Sequence, residues 1–143
     1  MTLHRSIAAL LLALTSLGAI AAPLNANTAD AAALKGLPHV TDQVAQAIVA
    51  GKPYASTSAF DAAVAKVLTE AQRKELYPSL FVPIDLNKAS RAEIMLIPGM
   101  TPRMAREFEE YRPYRNIEQF RKEIGKYVDA REVARLESYV RLQ

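Results

Sequence analysis

The stretch NKASRAEIMLIPGMTPR, residues 87–103, decides the fold of this chain. Ser90 followed by Glu93 is a capping box, which starts a helix and satisfies its first backbone N–H groups. A Pro-Gly pair ending at Gly99 then predicts a tight turn. Thr101 followed by proline starts a second helix, because proline is well tolerated at the first helical position. The stretch therefore predicts two short helices joined by a turn.

The same pattern occurs twice, because residues 24–83 recur as residues 84–143 with a shift of 60 positions and no insertion or deletion. A period of this length indicates one supersecondary unit used twice. The chain is therefore divided into a leader, residues 1–21, a first copy, residues 22–83, and a second copy, residues 84–143. The shared residues pair as Asn27 with Asn87, Ala29 with Ala89, Pro38 with Pro98, Thr41 with Thr101, Ala45 with Ala105, Pro53-Tyr54 with Pro113-Tyr114, Phe60 with Phe120, and Leu76 with Leu136.

Each copy is predicted to form four short helices, because side chains that accept from backbone N–H groups stand at four matching places. These N-caps are Asp30, Thr41, Ser56, Thr69, Ser90, Thr101, Asn116 and Asp129. Apolar residues at three- and four-residue spacings predict one core design used twice. They are Leu34, Leu37, Val44, Ile48, Phe60, Val64, Leu68, Leu76 and Leu80, with Ile94, Ile97, Met104, Phe108, Phe120, Ile124, Val128, Leu136 and Val140 as partners. No alternating stretch predicts a strand, so the expected fold class is all-α.

Residues 1–21 are predicted to be a secretory signal peptide. A weakly basic start, His4 and Arg5, precedes a mostly apolar run over residues 7–17, which is short for a membrane span. Residues 19–21 form a small-residue cleavage pattern, so we place the cleavage after Ala21. An uncleaved N-terminal anchor is the alternative. Cleavage would leave an exported protein, which we expect in the periplasm.

The composition restricts the chemistry of the mature chain. It has no cysteine, which removes disulfides, thiolate nucleophiles and cysteine metal ligands. Removal of the leader would leave His39 as its one histidine, too few for a multi-histidine metal site or a catalytic arrangement. We therefore expect no enzymatic activity, no cofactor and no metal. His39 itself is interpreted as an exposed turn residue, with a phosphate contact as the alternative.

Charge separates the two copies. Residues 24–83 carry five Lys/Arg and five Asp/Glu, whereas residues 84–143 carry twelve and ten, a net charge of +2, and nine of those twelve are arginine. A net charge this small is not by itself typical of nucleic-acid binding. Most of these side chains are expected to form solvated helix faces.

The turn between the first two helices of the second copy holds the candidate binding residues. A helix N-terminus presents unpaired N–H groups and the positive end of the helix dipole, so it suits an anion such as a DNA phosphate. Glycine in the turn permits a positive φ and close approach of the phosphate, and arginine on the first turns adds charge-assisted contacts. The predicted DNA-phosphate contacts are Gly99, Met100, Thr101, Arg103 and Arg106.

At these residues the chain resembles the helix-hairpin-helix domain of the competence protein ComEA. The resemblance is carried by residues 87–100, the Pro113-Tyr114 pair and Phe120, and again by residues 27–38. It implies tandem helix-hairpin-helix units, with four hairpins in all. It also implies an exported protein that holds incoming double-stranded DNA by its backbone during uptake.

Three of the four hairpins lack the glycines of that family. The turns read PHVT at residues 38–41, KVLT at 66–69 and KYVD at 126–129. Thr41 and Thr69, at the ends of the first two of these turns, can still cap the helices that follow them. Asp129 is expected to repel phosphate and to occupy the same N–H groups. We therefore expect DNA binding to be centred on the second copy.

A weaker resemblance suggests a different role. Residues 53–56 with residues 67–72 resemble the PsbU extrinsic subunit of photosystem II, which implies a structural module of a protein complex. The leading expectation is sequence-independent binding of double-stranded DNA, and the alternative is a protein-interaction module of the cell envelope. The two differ in their response to salt, because phosphate contacts weaken steeply as salt rises.

Overall fold

The computed structural model describes residues 21–143, so the predicted signal peptide lies outside the described residues except for Ala21. This part of the chain folds into eight short α-helices and four two-residue strands. The first copy contains β1 (Leu24–Asn25), α1 (Ala31–Leu34), α2 (Asp42–Ala50), α3 (Thr57–Val64), α4 (Glu70–Leu76) and β2 (Leu80–Phe81). The second contains β3 (Ile84–Asp85), α5 (Arg91–Met95), α6 (Pro102–Glu110), α7 (Ile117–Ile124), α8 (Ala130–Glu137) and β4 (Val140–Arg141). Within residues 21–143, no helix is long and apolar enough to cross a membrane.

The predicted helix starts are confirmed at all eight positions. Each predicted N-cap has extended backbone dihedrals, and its side chain accepts from the N–H three residues later. Two of the eight, Thr69 with Gln72 and Ser90 with Glu93, form complete capping boxes. The helices also begin at the same offset in both copies, so the repeat in sequence is a repeat in structure.

Short parallel strands tie the ends of each copy together, and the sequence did not predict them. β1 pairs with β2, and β3 pairs with β4 in the matching register. Each strand has two residues, which is too few for an alternating pattern to be visible. Leu80 and Val140, expected as helical core positions, lie instead in the strands that follow α4 and α8. Four other positions expected in helices lie in the turns between them: Leu37, Leu68, Ile97 and Val128. The fold is still mostly helical, as predicted.

A paired hydrogen bond explains why asparagine and a Pro-Tyr pair recur together. The Asn87 side-chain amide donates to the Tyr114 carbonyl at 2.9 Å, and its oxygen accepts from the Tyr114 N–H at 2.7 Å. Asn27 makes the same two bonds to Tyr54, at 3.0 and 2.7 Å. Each asparagine thus fixes the segment between the second and third helices of its copy to the segment before the first.

The hydrophobic core runs through both copies without a break. The predicted apolar positions are all buried or packed against the buried cluster. At the junction, Phe81 of β2 packs edge-on against Tyr139 after α8, with ring centroids 5.0 Å apart. The Ser58 N–H at the start of α3 also reaches the Glu93 carboxylate of α5, at 3.4 Å. The two copies therefore pack directly on one another.

Candidate nucleic-acid interface

The hairpin of the second copy, residues 97–101, joins α5 to α6 and contains the residues predicted to contact phosphate. Gly99 has φ +73°, a left-handed conformation that side chains with a Cβ rarely adopt. The Met100 N–H closes the turn on the Ile97 carbonyl at 3.0 Å. The predicted positive φ is confirmed, and the turn is as tight as the Pro-Gly pair indicated.

The start of α6 leaves a backbone donor available beside this turn. Thr101 Oγ1 accepts from the Met104 N–H at 3.2 Å, and the Thr101 carbonyl accepts from the Ala105 N–H at 2.9 Å. Pro102, at the first helical position, has no N–H. Among residues 21–143, the Arg103 N–H has no hydrogen-bond acceptor. An anion placed here would meet this donor and the positive end of the helix dipole.

The two predicted arginines on α6 are exposed, and they differ in their neighbours. Arg103 forms no ion pair with the residues that the structure describes. Nη2 of Arg106 lies 3.7 Å from Oε1 of Glu107, and this glutamate is buried. Arg103 is therefore the more readily available of the two for an external anion.

Arg135 of α8 also contacts this turn, and the sequence reasoning missed it. Its Nη1 donates to the Pro98 carbonyl at 2.7 Å, and its Nε and Nη2 donate to Glu132 at 2.8 and 2.7 Å. The hydrogen bonds to Glu132 raise the pKa of Arg135 above its ordinary value. A Cβ added at Gly99 would lie 3.3 Å from Arg135 Nη2, so the guanidinium packs directly over the glycine.

The first hairpin has the same left-handed turn without glycine. His39 stands at the place of Gly99 and has φ +62°. Its Nε2 lies 2.6 Å from Oε2 of Glu75, which matches Arg135 in the repeat. The interpretation of His39 as an exposed turn residue is confirmed, and its side chain also contacts α4 through Glu75. The sequence carries one sign of this contact: the matching position is the acidic Glu75 in the first copy and the basic Arg135 in the second.

The helix starts after the remaining two hairpins, at residues 66–69 and 126–129, are capped in the same way as α6. Asp129 accepts from the Glu132 N–H at 2.8 Å, and Thr69 accepts from the Gln72 N–H at 3.2 Å. The expectation that the Asp129 carboxylate takes an N–H of its own helix is confirmed. A phosphate approaching α8 would also meet this negative charge. The second-copy hairpin at residues 97–101 is the most suitable of the four for an anion, because it combines the left-handed turn at Gly99 with the exposed Arg103, which has no ion-pair partner among residues 21–143.

A comparison with protein families agrees with this geometry. Residues 80–140 match the family described as "Helix-hairpin-helix motif". The match begins at β2 and covers nearly all of the second copy. The predicted helix-hairpin-helix relationship is therefore confirmed for this segment. The likeness to ComEA and to PsbU stays a prediction. No curated protein and no solved structure gave a significant match to the chain.

Proposed function

We propose that this protein binds double-stranded DNA without sequence preference, through phosphates held at the second-copy hairpin. One observation carries the proposal: Gly99 holds a left-handed turn immediately before a helix start where Arg103 is exposed and has no ion-pair partner among residues 21–143. Helix-hairpin-helix motifs commonly bind nucleic acid, which supports the same function. We further propose that the chain is exported to the periplasm and acts in DNA uptake.

In this proposal both the backbone at the start of α6 and the Arg103 side chain bind phosphate. The Arg103 N–H and the dipole of α6 attract a phosphate oxygen, and the turn at Gly99 lets the phosphate come close. The Arg103 guanidinium adds a charge-assisted hydrogen bond to the same or the next phosphate. Such contacts position the protein on the duplex and carry no base information. Binding should therefore be insensitive to sequence and sensitive to salt.

The first copy is expected to contribute little at its own hairpin. The Glu75 carboxylate lies at His39, where an incoming phosphate would approach. The residue matching Arg103 is Gln43, which supplies no charge. Residues 24–83 also carry equal numbers of acidic and basic side chains. The asymmetry between the hairpins predicts that substitutions near Gly99 weaken binding more than those near His39.

The test is fluorescence anisotropy with residues 22–143 and a short labelled duplex at low and at moderate salt. Arg103→Gln should weaken binding severalfold at low salt and reduce the salt slope by about one, the value for one lost phosphate contact. Arg115→Gln is the matched control, because Arg115 is also exposed in the second copy without an ion pair among the described residues. A duplex of scrambled sequence should bind equally well. Equal effects of the two substitutions would contradict the proposed location.

A second candidate function has one observation in its favour. A groove of about 400 Å³ lies between α7 and α8, and apart from the ion-paired Arg121 and Glu137 it is lined by small and apolar residues. They are Gly125, Val128, Ala130, Val133 and Ala134. Such a groove suits an apolar segment of a protein partner in the cell envelope. Binding through it would change little with salt, which separates this candidate from phosphate binding.

A further inference from the structure

The second-copy hairpin is bordered by the first copy. A cavity of about 300 Å³ lies against the turn, with Pro98, Gly99 and Met100 in one wall and Lys74 of α4 in the other. A second cavity, of about 480 Å³, also touches Pro98 and Gly99, and Pro78 of the first copy lines it. The surface around the turn is therefore built by both copies.

Lys74 is the cation that the first copy places at this turn. Its side chain is 73% exposed, and its Nζ lies 2.6 Å from Oε1 of Glu70, which is equally exposed. A salt bridge between two such exposed groups contributes little net stability. The ammonium can therefore exchange Glu70 for another anion at small cost. The second copy has Ala134 at the matching position, so the repeat itself does not require a lysine here.

We infer that Lys74 belongs to the phosphate-binding surface of the second-copy hairpin, so that the DNA site is a composite of both copies. This inference rests on the proposed function. It adds a contact that sequence comparison of the hairpins does not indicate, because Lys74 lies on a helix of the other copy.

The size of a duplex supports the composite site. B-DNA carries one negative charge for about every 1.7 Å of its axis, so a duplex held at Gly99 brings further phosphates over the neighbouring surface. Lys74 shares a cavity with Gly99 and is placed to neutralise one of them. Each phosphate neutralised by a cation adds about 0.9 to the salt slope of binding. The contribution of Lys74 is therefore measurable apart from the overall affinity.

The experiment measures duplex binding by residues 22–143 at several salt concentrations. Lys74→Gln should weaken binding about three- to tenfold at low salt and reduce the salt slope by about 0.9. Lys66→Gln is the control, because Lys66 is an exposed lysine of the same copy in the turn between α3 and α4. It should change binding by less than about twofold, as expected for a screened, distant charge.

A second pair of variants tests whether duplex binding can be strengthened. Glu70→Gln frees Lys74 and should strengthen duplex binding about two- to threefold at low salt. Asp42→Asn is its matched control, because Asp42 is also the first residue of a helix and pairs with a lysine, Lys35, at 3.3 Å. If removal of negative charge acts generally, both variants should gain the same duplex affinity. If it acts locally through Lys74, Glu70→Gln should gain more. Thermal unfolding should show that all four variants are folded, with only the small decreases in melting temperature expected for an exposed ion pair or a charge at a helix end.

The outcomes separate the inference from the proposed function. If the unmodified chain binds duplex while Lys74→Gln and Lys66→Gln behave alike, the inference is wrong and the proposed function stands. An unchanged salt slope in Lys74→Gln would also overturn the inference. If the unmodified chain does not bind duplex with a Kd below about 10⁻⁴ M, the weak end of ordinary non-specific binding, the proposed function fails and the inference falls with it.

Discussion

Replacing Gly99 with alanine should destabilise the second-copy hairpin by about 1 kcal/mol. Gly99 has φ +73°, and a residue with a Cβ pays about 1–2 kcal/mol for the left-handed conformation. Alanine also restricts the unfolded chain, which offsets about 0.4–1 kcal/mol of this loss. The new Cβ would lie 3.3 Å from Arg135 Nη2, so the guanidinium has to shift and its hydrogen bond to the Pro98 carbonyl weakens. Together these effects lower the free energy of unfolding of Gly99→Ala by about 1 kcal/mol.

Thermal unfolding followed by circular dichroism measures this loss, which corresponds to roughly 3–5 °C for a chain of this size. Gly99→Asn separates the two causes, because asparagine tolerates a positive φ but carries the same Cβ. It should be less destabilising than Gly99→Ala. His39→Gly provides the reverse change in the first hairpin and should cost little, because it relieves backbone strain while losing an exposed contact to Glu75. An alanine variant as stable as the unmodified chain, or an asparagine variant equally destabilised, would refute this reasoning.

Three further substitutions test contacts that stabilise the individual copies. Asn87→Ala removes both hydrogen bonds to Tyr114 and should lower the free energy of unfolding in urea by about 2 kcal/mol, with a similar loss in Asn27→Ala. Two hydrogen bonds from Arg121, of 2.7 and 2.6 Å, lower the pKa of Glu137. The resulting stability is present at neutral pH and is lost as pH falls through that lowered pKa. Glu137→Gln should therefore be less stable than the unmodified chain at pH 7, and the difference should disappear in acid.

The helix starts could be predicted from the sequence because they depend on local chemistry. A side chain such as Thr101 or Asn116 caps the N–H three residues later, and that partner is fixed by chain geometry alone. The internal repeat supplied a second copy of each N-cap position. The strands could not be predicted in this way, because Leu24 meets Leu80 only after the intervening helices have packed.

The candidate site was predicted in part. The left-handed turn at Gly99 follows from residue type, and the exposed Arg103 follows from its place at the helix start. The contact of Arg135 with this turn, and the position of Lys74 at the same cavity, depend on how distant helices pack, so spacing along the chain does not show them. The contact of His39 with Glu75 was not predicted for the same reason, because Glu75 lies on a helix far along the sequence.

The central claim, that phosphate is held at the second-copy hairpin, is tested most directly by mapping backbone amides with two-dimensional NMR during titration with duplex DNA. We expect the amide signals of Gly99, Thr101 and Arg103 to shift first and most strongly, and the shifts to reverse on addition of salt. The amides of His39 and Gln43 should change little. Shifts confined to the groove between α7 and α8, or no shifts at all, would contradict phosphate binding at the second-copy hairpin.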